Sequence, residues 1–285
     1  MKASAFQYER PETLEAALAL LAVHGEAARP IAGGQSLVPA LNLRLMAPEW
    51  VIDIGRLEAL RGVARSGGVL RLGALTRHAE LLTDPDVAEW APLFARAAGE
   101  IAHPAIRSRG TLGGSLAHAD PAAELPACAL ALGARMVVRS AARGERVIGV
   151  EGFFTGLFAT ALAADELLVA VEIDVAGDGG VWGFGELTRR SGDYAMVGLA
   201  AAGAMKGGIV TAMRLAFFSV GPGPVLARGA AGRLVGRAIT TEALAEAVGA
   251  LEEDLAPQGD LQASAATRLH LAGVLLRRVV GRMAG

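Results

Sequence analysis

The stretch TLGGSLAHADPAAELP, residues 111–126, is the strongest indication of the fold of this chain. It places a glycine pair between a threonine and a serine, and a shorter version, IAGGQS, occurs at residues 31–36. Paired glycines at the end of an extended segment can point consecutive main-chain N–H groups outward, and no Cβ atom then blocks an approaching anion. The two stretches therefore predict two anion-facing loops in different parts of the chain.

Each loop on its own is also compatible with an ordinary tight turn. The chain contains neither G-x-G-x-x-G nor G-x-x-x-x-G-K-[ST], so it lacks the signatures of a Rossmann dinucleotide site and of a phosphate-transfer loop. Both loops carry polar neighbours, Gln35 and Ser36 in the first and Thr111 and Ser115 in the second. Together they favour a ligand with two linked phosphates that lies between them.

The composition limits the classes of partner. The chain has 285 residues, of which 53% are hydrophobic, so it can bury a large core in two or three domains. Its 27 Lys and Arg against 29 Asp and Glu give a net charge of -2, which provides no basic field for nucleic acid. The single cysteine, Cys128, excludes an intrachain disulfide and the usual four thiolates of an iron–sulfur cluster.

Catalytic and metal signatures are absent from the sequence. The five histidines are scattered, and no H-E-x-x-H, C-x-x-C or G-x-S-x-G spacing occurs. We therefore expect no metal site and no catalytic residue in this chain, and we expect Cys128 to be a buried, inert thiol. The N-terminal residues lack a signal-peptide pattern and the apolar stretches are too short to span a bilayer, so we expect no transmembrane segment and a cytoplasmic location.

The pattern of elements predicts an α+β protein with three units, at residues 1–57, 58–176 and 177–285. Strand and helix patterns alternate in the first two units, and a helical region that follows a hairpin starting near residue 58 is interrupted at Pro85. A Gly and Asp cluster at residues 176–180 predicts the second boundary. Beyond it we expect a three-stranded antiparallel sheet followed by two helices that cover one face, which is an α+β arrangement.

Four stretches carry a resemblance to a known family: AGGQSLVPALNLRL, HPAIRSRGTLGGSLAHADPAAELPA, FFTGLFATALAADELLVAVEI and FGELTRRSGDYAMVGLAAAGAM. They resemble the FAD-carrying medium subunit of the molybdenum hydroxylases, the family of aerobic carbon monoxide dehydrogenase and xanthine dehydrogenase. The resemblance covers nearly the whole chain, and its C-terminal part is the least distinctive. It implies a two-subdomain FAD-binding region of the PCMH type, with FAD in the cleft between the subdomains, and a C-terminal domain beyond them.

The resemblance also implies which residues contact FAD. Residues 31–37 would surround the diphosphate and the adjoining ribose, a second loop would face the phosphates, Glu124 would bind sugar or ribityl hydroxyls, and His118 and Asp120 would line the segment between. Leu168 would contact the adenine or the flavin, and Tyr194 would lie near the isoalloxazine ring. The full set is Ile31, Ala32, Gly33, Gly34, Gln35, Ser36, Leu37, Thr111, Gly113, Gly114, Ser115, His118, Asp120, Glu124, Leu168 and Tyr194.

Several of these residues have simpler interpretations. Tyr194 fits core packing at the start of a strand, and His118 fits a polar capping residue. Arg107 and Arg109 are expected to pair with carboxylates at the surface.

Some relatives carry a lysine where this chain has Gly185, so the flavin potential and the acceptor cannot be carried over from them.

The function implied by the resemblance is that of an FAD-carrying electron-transfer subunit. In the family, substrate reacts at a molybdenum cofactor in a large subunit, and electrons pass through [2Fe–2S] clusters of a small subunit to the flavin subunit. We therefore expect FAD in this chain, molybdopterin and iron–sulfur clusters only in partner subunits, and a dimer of heterotrimers that passes electrons to NAD, a quinone or another acceptor. The alternatives are a self-contained FAD-dependent oxidoreductase and a flavin-free scaffold.

Overall fold

A computed structural model describes residues 2–175, 177 and 179–284 of the chain. Within them, each of the three larger sheets draws its strands from one of the three predicted units. The predicted boundary cluster at 176–180 includes Ala176 and Asp178, which lie outside the described residues. The unit boundaries stay predictions, while the α+β fold class is confirmed.

The first unit is a parallel three-stranded sheet in the order β1-β3-β2. Its helix α1 begins after Thr13, whose hydroxyl accepts from the main-chain N–H of Ala16 at 3.1 Å, and ends at Gly25, where φ is 49°. The elements are β1 (Gln7–Glu9), α1 (Leu14–His24), β2 (Ala28–Ile31), α2 (Leu37–Asn42) and β3 (Trp50–Asp53).

The second unit is built on a five-stranded antiparallel sheet in the order β4-β5-β10-β6-β7, and the helices of this unit lie on one face of it. The helical region predicted after the hairpin of β4 and β5 is divided at Pro85, as expected, and again at Pro92, because proline starts a helix more readily than it continues one. The elements are β4 (Val63–Ser66), β5 (Val69–Gly73), α3 (His78–Leu81), α4 (Pro85–Trp90), α5 (Pro92–Glu100), α6 (Pro104–Arg107), α7 (Leu112–His118), α8 (Glu124–Ala131), β6 (Arg135–Ser140), β7 (Gly144–Gly149), β8 (Phe154–Gly156), β9 (Ala159–Thr160) and β10 (Glu166–Asp174).

Side chains of β10 join two hydrophobic cores on opposite faces of the sheet, and a β-bulge between Leu168 and Ala170 shifts their alternation. Leu167 and Val169 face the core shared with α1, whereas Leu168 and Val171 face the core under α5, α7 and α8. Each fully buried leucine or valine contributes about 1.5–3 kcal/mol relative to exposure. The strand therefore fixes the first unit and the helices of the second unit to the same sheet.

The C-terminal unit is an antiparallel sheet covered on one face by helices, as predicted. The predicted number of strands was wrong, because the sheet has four strands in the order β11-β12-β13-β14. The fourth strand pairs only two residues and lies in the stretch GPGPVL, whose prolines and glycines favour a loop interpretation. The elements are β11 (Gly180–Leu187), β12 (Val197–Lys206), β13 (Ile209–Phe218), β14 (Val225–Leu226), α9 (Arg228–Gly232), α10 (Thr241–Gly249), α11 (Leu251–Asp254) and α12 (Ala265–Gly281).

The opposite face of this sheet packs on the second unit. Trp182 and Phe184 of β11 join the core that contains α5 and α8, whereas Val181 and Leu187 pack under the C-terminal helices. None of the described helices is both long enough and apolar enough to cross a bilayer.

Candidate functional site

The first glycine loop follows β2 and is open at its main-chain donors. Gly34 has φ of +73°, a left-handed conformation that suits glycine. In the described part of the chain, the N–H groups of residues 33–36 donate to no protein acceptor. The side-chain amide of Gln35 donates to the carbonyl of Gly33 at 3.0 Å, which turns the loop back on itself. Four consecutive free donors form the kind of concave nest that binds anions.

The two glycine segments meet directly at Gly33. A Cβ atom added there would lie 2.1 Å from the main-chain oxygen of Arg109, so only glycine fits. This contact brings the first loop against the residues that precede the second loop. The structure therefore places both predicted segments at one site.

The second glycine loop differs from the first in how its donors are used. Leu112 N–H donates to Thr76 O and Gly113 N–H to Ala74 O, both at 2.8 Å. Gly114 N–H donates to the hydroxyl of Thr111 at 3.1 Å, and Ser115 N–H donates to its carbonyl at 3.0 Å. The expected second nest of free main-chain donors at Gly113 and Gly114 is therefore wrong, because these groups already have protein acceptors.

The glycines of the second loop serve close packing instead. A Cβ at Gly113 would lie 2.5 Å from the Cβ of Ala74, and one at Gly114 would lie 2.7 Å from the hydroxyl of Thr111. The pair lets α7 start directly against the turn after β5.

A cleft of about 700 Å³ lies beside the first loop and reaches Thr111. Six of the predicted residues line it, and eleven residues that were not predicted complete it. The predicted ones are Ile31, Ala32, Gly33, Gly34, Gln35 and Thr111; the others are Tyr8, Arg10, Val38, Pro39, Asp53, Gly55, Arg56, Arg61, Leu75, Arg77 and Arg109.

The main feature that the sequence did not reveal is the positive charge of this cleft. Five arginines face one carboxylate there, that of Asp53, although the whole chain carries a net charge of -2. Among the described residues only one of the five forms an ion pair, between Arg61 Nε and Glu58 Oε1 at 3.3 Å. Of the other four, Arg77 also donates to the carbonyl of Ser108, and Arg10, Arg56 and Arg109 have no ion-pair partner among the described residues, so these groups can meet an anionic ligand.

The predicted surface ion pairs of Arg107 and Arg109 were wrong. Arg107 donates to main-chain carbonyls, at 2.8 Å to Ile101 and 3.0 Å to Ala102. Arg109 turns into the cleft and has no carboxylate partner among the described residues.

The end of the cleft formed by the first unit holds a tyrosine–carboxylate pair. The hydroxyl of Tyr8 donates to Asp53 Oδ2 at 2.6 Å, and Asp53 Oδ1 accepts from Gly55 N–H at 2.8 Å. The hydrogen bond to Asp53 raises the pKa of Tyr8, and burial and the charge of Asp53 add to the rise. The oxygen atoms of Asp53 are acceptors that suit the hydroxyl groups of a sugar.

Ten predicted residues lie outside the lining of this cleft. Leu168 is 5% exposed in the core of the second unit, and Ser36 precedes α2 with an exposed side chain. The ten are Ser36, Leu37, Gly113, Gly114, Ser115, His118, Asp120, Glu124, Leu168 and Tyr194. Their contacts with a cofactor stay predictions.

Several of these residues surround the turn between α7 and α8. His118 ends α7 and its ring lies 5.1 Å from that of Phe158, while Asp120 Oδ1 accepts from the N–H of Ala122 at 2.9 Å. Tyr194 is 65% exposed, so the simpler interpretation of core packing does not apply to it. Partial burial raises the pKa of Tyr194, and the charges of Asp120 and Glu124 raise it further.

Two carboxyl groups near this turn are held in a poorly hydrated environment. Burial raises the pKa of Glu124 to about 7, and the nearby charges of Asp120 and Glu100 add to this. Burial raises the pKa of Glu186 on β11 to about 8, with further contributions from Glu124 and Glu100. Glu186 Oε2 is buried without a hydrogen-bond partner among the described residues. Near neutral pH Glu186 is therefore mostly protonated and Glu124 is partly protonated.

Gly185 faces away from these carboxyls. A Cβ there would lie 2.9 Å from Cγ2 of Val279 and 3.5 Å from Cδ2 of Leu275, both on α12. Because side chains alternate along β11, Glu186 is the neighbour that faces the second unit. The glycine is explained by close packing of α12 on the sheet.

Comparison with known families identifies both parts of the chain. Residues 4–174 match the model described as the FAD binding domain in molybdopterin dehydrogenase. Residues 182–283 match the CO dehydrogenase flavoprotein C-terminal domain. The chain belongs to this family of FAD-binding oxidoreductase subunits. The resemblance inferred from the sequence is confirmed.

Similar proteins of the family act in different complexes. The chain is 35% identical over 275 residues to the carbon monoxide dehydrogenase medium chain of Hydrogenophaga pseudoflava, covering 96% of each chain. It is 37% identical over 284 residues to the caffeine dehydrogenase subunit beta of Pseudomonas sp. strain CBB1, covering 100% of this chain and 96% of the relative. The chain is thus an oxidoreductase subunit that matches these subunits over almost their whole length.

Solved structures of oxidoreductases also resemble this chain over almost its whole length. The carbon monoxide dehydrogenase of Hydrogenophaga pseudoflava lacking the Mo-pyranopterin moiety of the molybdenum cofactor superposes with a TM-score of 0.96, at 35% identity, covering 99% of this chain and 98% of that one. Quinoline 2-oxidoreductase of Pseudomonas putida 86 gives a TM-score of 0.94 at 40% identity, covering 100% and 98%.

The residues of the cleft fit FAD, the cofactor of this family. A diphosphate carries two negative charges, and the cleft offers four free main-chain N–H groups next to several guanidinium groups. Gly33 and Gly34 carry no side chain that could block the approach of a ligand to these N–H groups.

Proposed function

We propose that residues 33–36 bind the FAD diphosphate through their main-chain N–H groups and that Arg109 and Arg77 neutralise its charge. The observation that carries this proposal is the row of four unpartnered donors at the edge of the arginine-lined cleft. Ile31, Ala32 and Gln35 form the wall behind the diphosphate, and Ser36 and Leu37 lead from it into α2. Thr111 faces the same cleft from the second unit.

We further propose that the cleft takes the adenosine diphosphate half of FAD. Its far end holds the Tyr8 ring and the Asp53 carboxylate, which suit a base and the hydroxyls of a ribose. His118, Asp120, Glu124 and Tyr194 lie outside the cleft, around the turn after α7. This division supports a flavin ring that extends past Thr111 and Ser115 toward that turn.

The second segment has a different part in this proposal. Gly113 and Gly114 position α7 by close packing and present no free donor. We propose that Thr111, which lines the cleft, and Ser115, which lies outside its lining, are the residues of this segment that contact the ligand. The cofactor is held mainly by the first unit and is oriented by the second.

Bound FAD supplies the capacity to take up electrons singly and to release them singly or in pairs. The residues of this chain bind and orient it and exclude water from part of it. We propose that the chain receives electrons from [2Fe–2S] clusters of a small partner subunit and passes them to an external acceptor. We propose molybdopterin in a large partner subunit, a dimer of heterotrimers, and a cytoplasmic location. The naming of relatives as medium chains or subunits supports the multi-subunit assembly.

We propose that a partner subunit, and not this chain, determines the substrate of the whole complex. Relatives at 35% and 37% identity carry the names of a carbon monoxide and a caffeine dehydrogenase, two very different substrates. The likeness of this chain to either one therefore says nothing about which molecule is oxidised. Purification of the native complex, followed by metal and iron–sulfur analysis of its subunits, tests the assembly.

A self-contained FAD-dependent oxidoreductase is the alternative function. The cleft supplies binding groups for FAD but no acid–base pair beside a separate substrate cavity in its lining. Reduction of the isolated FAD-loaded chain by a small organic substrate would favour this alternative over the subunit role.

Titration of the apoprotein with three ligands tests the binding proposal. We expect FAD to bind with one molecule per chain, ADP to compete with it, and FMN to compete much less because it lacks the adenosine half. Absence of stoichiometric FAD uptake would support the flavin-free scaffold. Competition by FMN alone would reverse the proposed orientation.

A further inference from the structure

The start of α3 holds the segment that carries Arg109 and Thr111 into the cleft. Arg77 Nη1 donates to the carbonyl of Ser108 at 2.7 Å. The main-chain N–H of His78 donates to the carbonyl of Gly110 at 3.0 Å, and the ring of His78 bonds the carbonyl of Thr111 at 3.0 Å. Two consecutive residues thus bind three carbonyls of the segment 108–111.

The hydrogen bond between His78 and Thr111 determines which nitrogen of the neutral imidazole carries the proton. A carbonyl oxygen only accepts, so Nε2 carries the proton and donates it. Nδ1 is then an acceptor, and it is buried without a partner among the described residues. His78 is 7% exposed, which leaves no room for water to solvate a charged ring.

The surroundings oppose protonation of this ring. Burial lowers the pKa of His78 to about 4, and the charge of Arg107 on α6 lowers it further, while the hydrogen bond to Thr111 acts in the opposite direction. The carboxylate of Glu80 on the same helix accepts from the main-chain N–H of Arg77 at 2.7 Å instead of facing the ring. No carboxylate among the described residues contributes to the pKa of His78. The ring is therefore neutral at physiological pH.

Packing holds the ring in this orientation. Gly110 lies against its edge, and a Cβ there would come 2.8 Å from Cε1 and 2.9 Å from Nδ1 of His78. The carbonyl that the ring binds also accepts from Ser115 N–H, and the hydroxyl of Thr111 accepts from Gly114 N–H at 3.1 Å. The position of Thr111, and with it the start of α7, therefore depends on the hydrogen bonds that the His78 ring, Gly114 and Ser115 make to this residue.

We propose that His78 is a positioning residue for FAD, whose neutral imidazole donates from Nε2 to the Thr111 carbonyl and so holds Thr111 at the cleft. This inference rests on the proposed binding of FAD in the cleft. His78 itself does not line the cleft, so it acts through Thr111 and touches no ligand. Its contribution is to keep the second segment ordered against the first loop before the ligand arrives.

Matched substitutions separate the hydrogen bond from the volume of the ring. His78→Gln keeps an N–H donor at a similar reach, whereas His78→Leu keeps an apolar volume and removes the donor. We expect His78→Leu to weaken FAD binding about tenfold or more and His78→Gln to stay within about threefold of the wild type, measured by flavin fluorescence on the full chain. The exposed His270 on α12 supplies the control, and His270→Leu should bind FAD like the wild type.

The outcomes distinguish this inference from the proposed function. Wild-type chain that binds no FAD would contradict the proposed function itself. Wild-type binding together with unchanged affinity in His78→Leu would overturn the role of His78, and equal losses in the Gln and Leu variants would do the same. Melting temperatures of the apoproteins, measured alongside, show whether a variant is folded.

A measurement on the wild-type chain covers the case in which the leucine variant does not fold. Labelling the five histidines with ¹⁵N reports the protonation state of each ring. We expect one histidine, absent in the His78→Gln spectrum, to stay neutral with its proton on Nε2 from about pH 5.5 to 8, and to shift when FAD is added. Titration of that ring near pH 6.5, or a proton on Nδ1, would overturn the proposal.

Discussion

Gly33 touches Arg109 so closely that a Cβ at position 33 would lie 2.1 Å from the Arg109 oxygen and 2.7 Å from its carbonyl carbon. This contact joins the first glycine loop, with its free donors, to the segment that brings an arginine and a threonine into the cleft. The proposed FAD site is therefore a junction of two units, and the absence of a side chain at Gly33 allows the junction to form.

Substitution of Gly33 by alanine tests this junction. We expect the methyl group to push the segments apart, at a cost of about 1–3 kcal/mol in unfolding free energy, and to lower FAD affinity at least about tenfold. Denaturant unfolding and flavin fluorescence measure the two effects. The control is Gly149→Ala, where a Cβ meets no atom within 4 Å. Wild-type affinity in Gly33→Ala would show that the contact is dispensable.

Loss of Arg109 tests the charge of the cleft. We expect Arg109→Gln to weaken FAD and ADP by a similar factor of about ten, because each ligand carries the diphosphate, and to reduce the salt dependence of binding. Calorimetric titrations at two salt concentrations measure both. Arg278→Gln, an exposed arginine on α12, is the matched control. A loss of FAD affinity without a loss of ADP affinity would place Arg109 beside the flavin instead.

The pH dependence of stability follows from Glu186. Its pKa is raised from 4.5 to about 8 by burial, so the folded chain holds a proton that the unfolded chain releases. Because the folded chain binds this proton more tightly than the unfolded chain, the free energy of unfolding is highest at low pH. It decreases as the pH rises from about 4.5 through 8. We expect Glu186→Gln to stabilise the chain at pH 8.5 by about 1 kcal/mol, since the partly exposed carboxyl keeps some hydration, and to change little at pH 5.

Melting temperatures of the wild type and Glu186→Gln at the two pH values measure this effect. Glu252→Gln, on the exposed side of α11, should show no pH-dependent difference. The account of Glu186 fails if its glutamine variant is equally stabilising at pH 5 and pH 8.5.

A lysine at position 185 tests why this chain has glycine there. A Cβ at this position already approaches Val279 to 2.9 Å, so a longer side chain must displace α12. We expect Gly185→Lys to lower the unfolding free energy by about 2 kcal/mol or more and to leave the flavin potential unchanged. A shifted potential in a stable Gly185→Lys protein would show that the new side chain reaches the flavin.

Much of the fold could be predicted from local patterns. Leu14, Leu18 and Leu21 recur at helical spacing, and all three are buried on α1. The fourth strand of the C-terminal sheet could not be predicted, because Val225 and Leu226 follow two prolines and pair over only two residues. Its strand conformation comes from the neighbouring β13 and not from its own sequence.

The part of the site that a single segment forms could be predicted from the sequence. The parts formed by several distant segments could not. The free donors of the first loop lie within a few residues, so the motif AGGQS indicates them. The state of the second loop depends on Ala74 and Thr76, which accept its N–H groups from another turn. The arginines of the cleft are separated along the chain, and only the folded structure brings them together.

The central claim is that the main-chain N–H groups of residues 33–36 hold the FAD diphosphate while the adenosine lies by Tyr8 and Asp53. A crystal structure of the chain in complex with FAD tests it most directly. The account predicts phosphate oxygens within hydrogen-bond distance of these N–H groups, about 2.7–3.2 Å, and the ribose next to the Asp53 carboxylate. An adenosine at the turn after α7, or a diphosphate that makes no contact with residues 33–36, would contradict it.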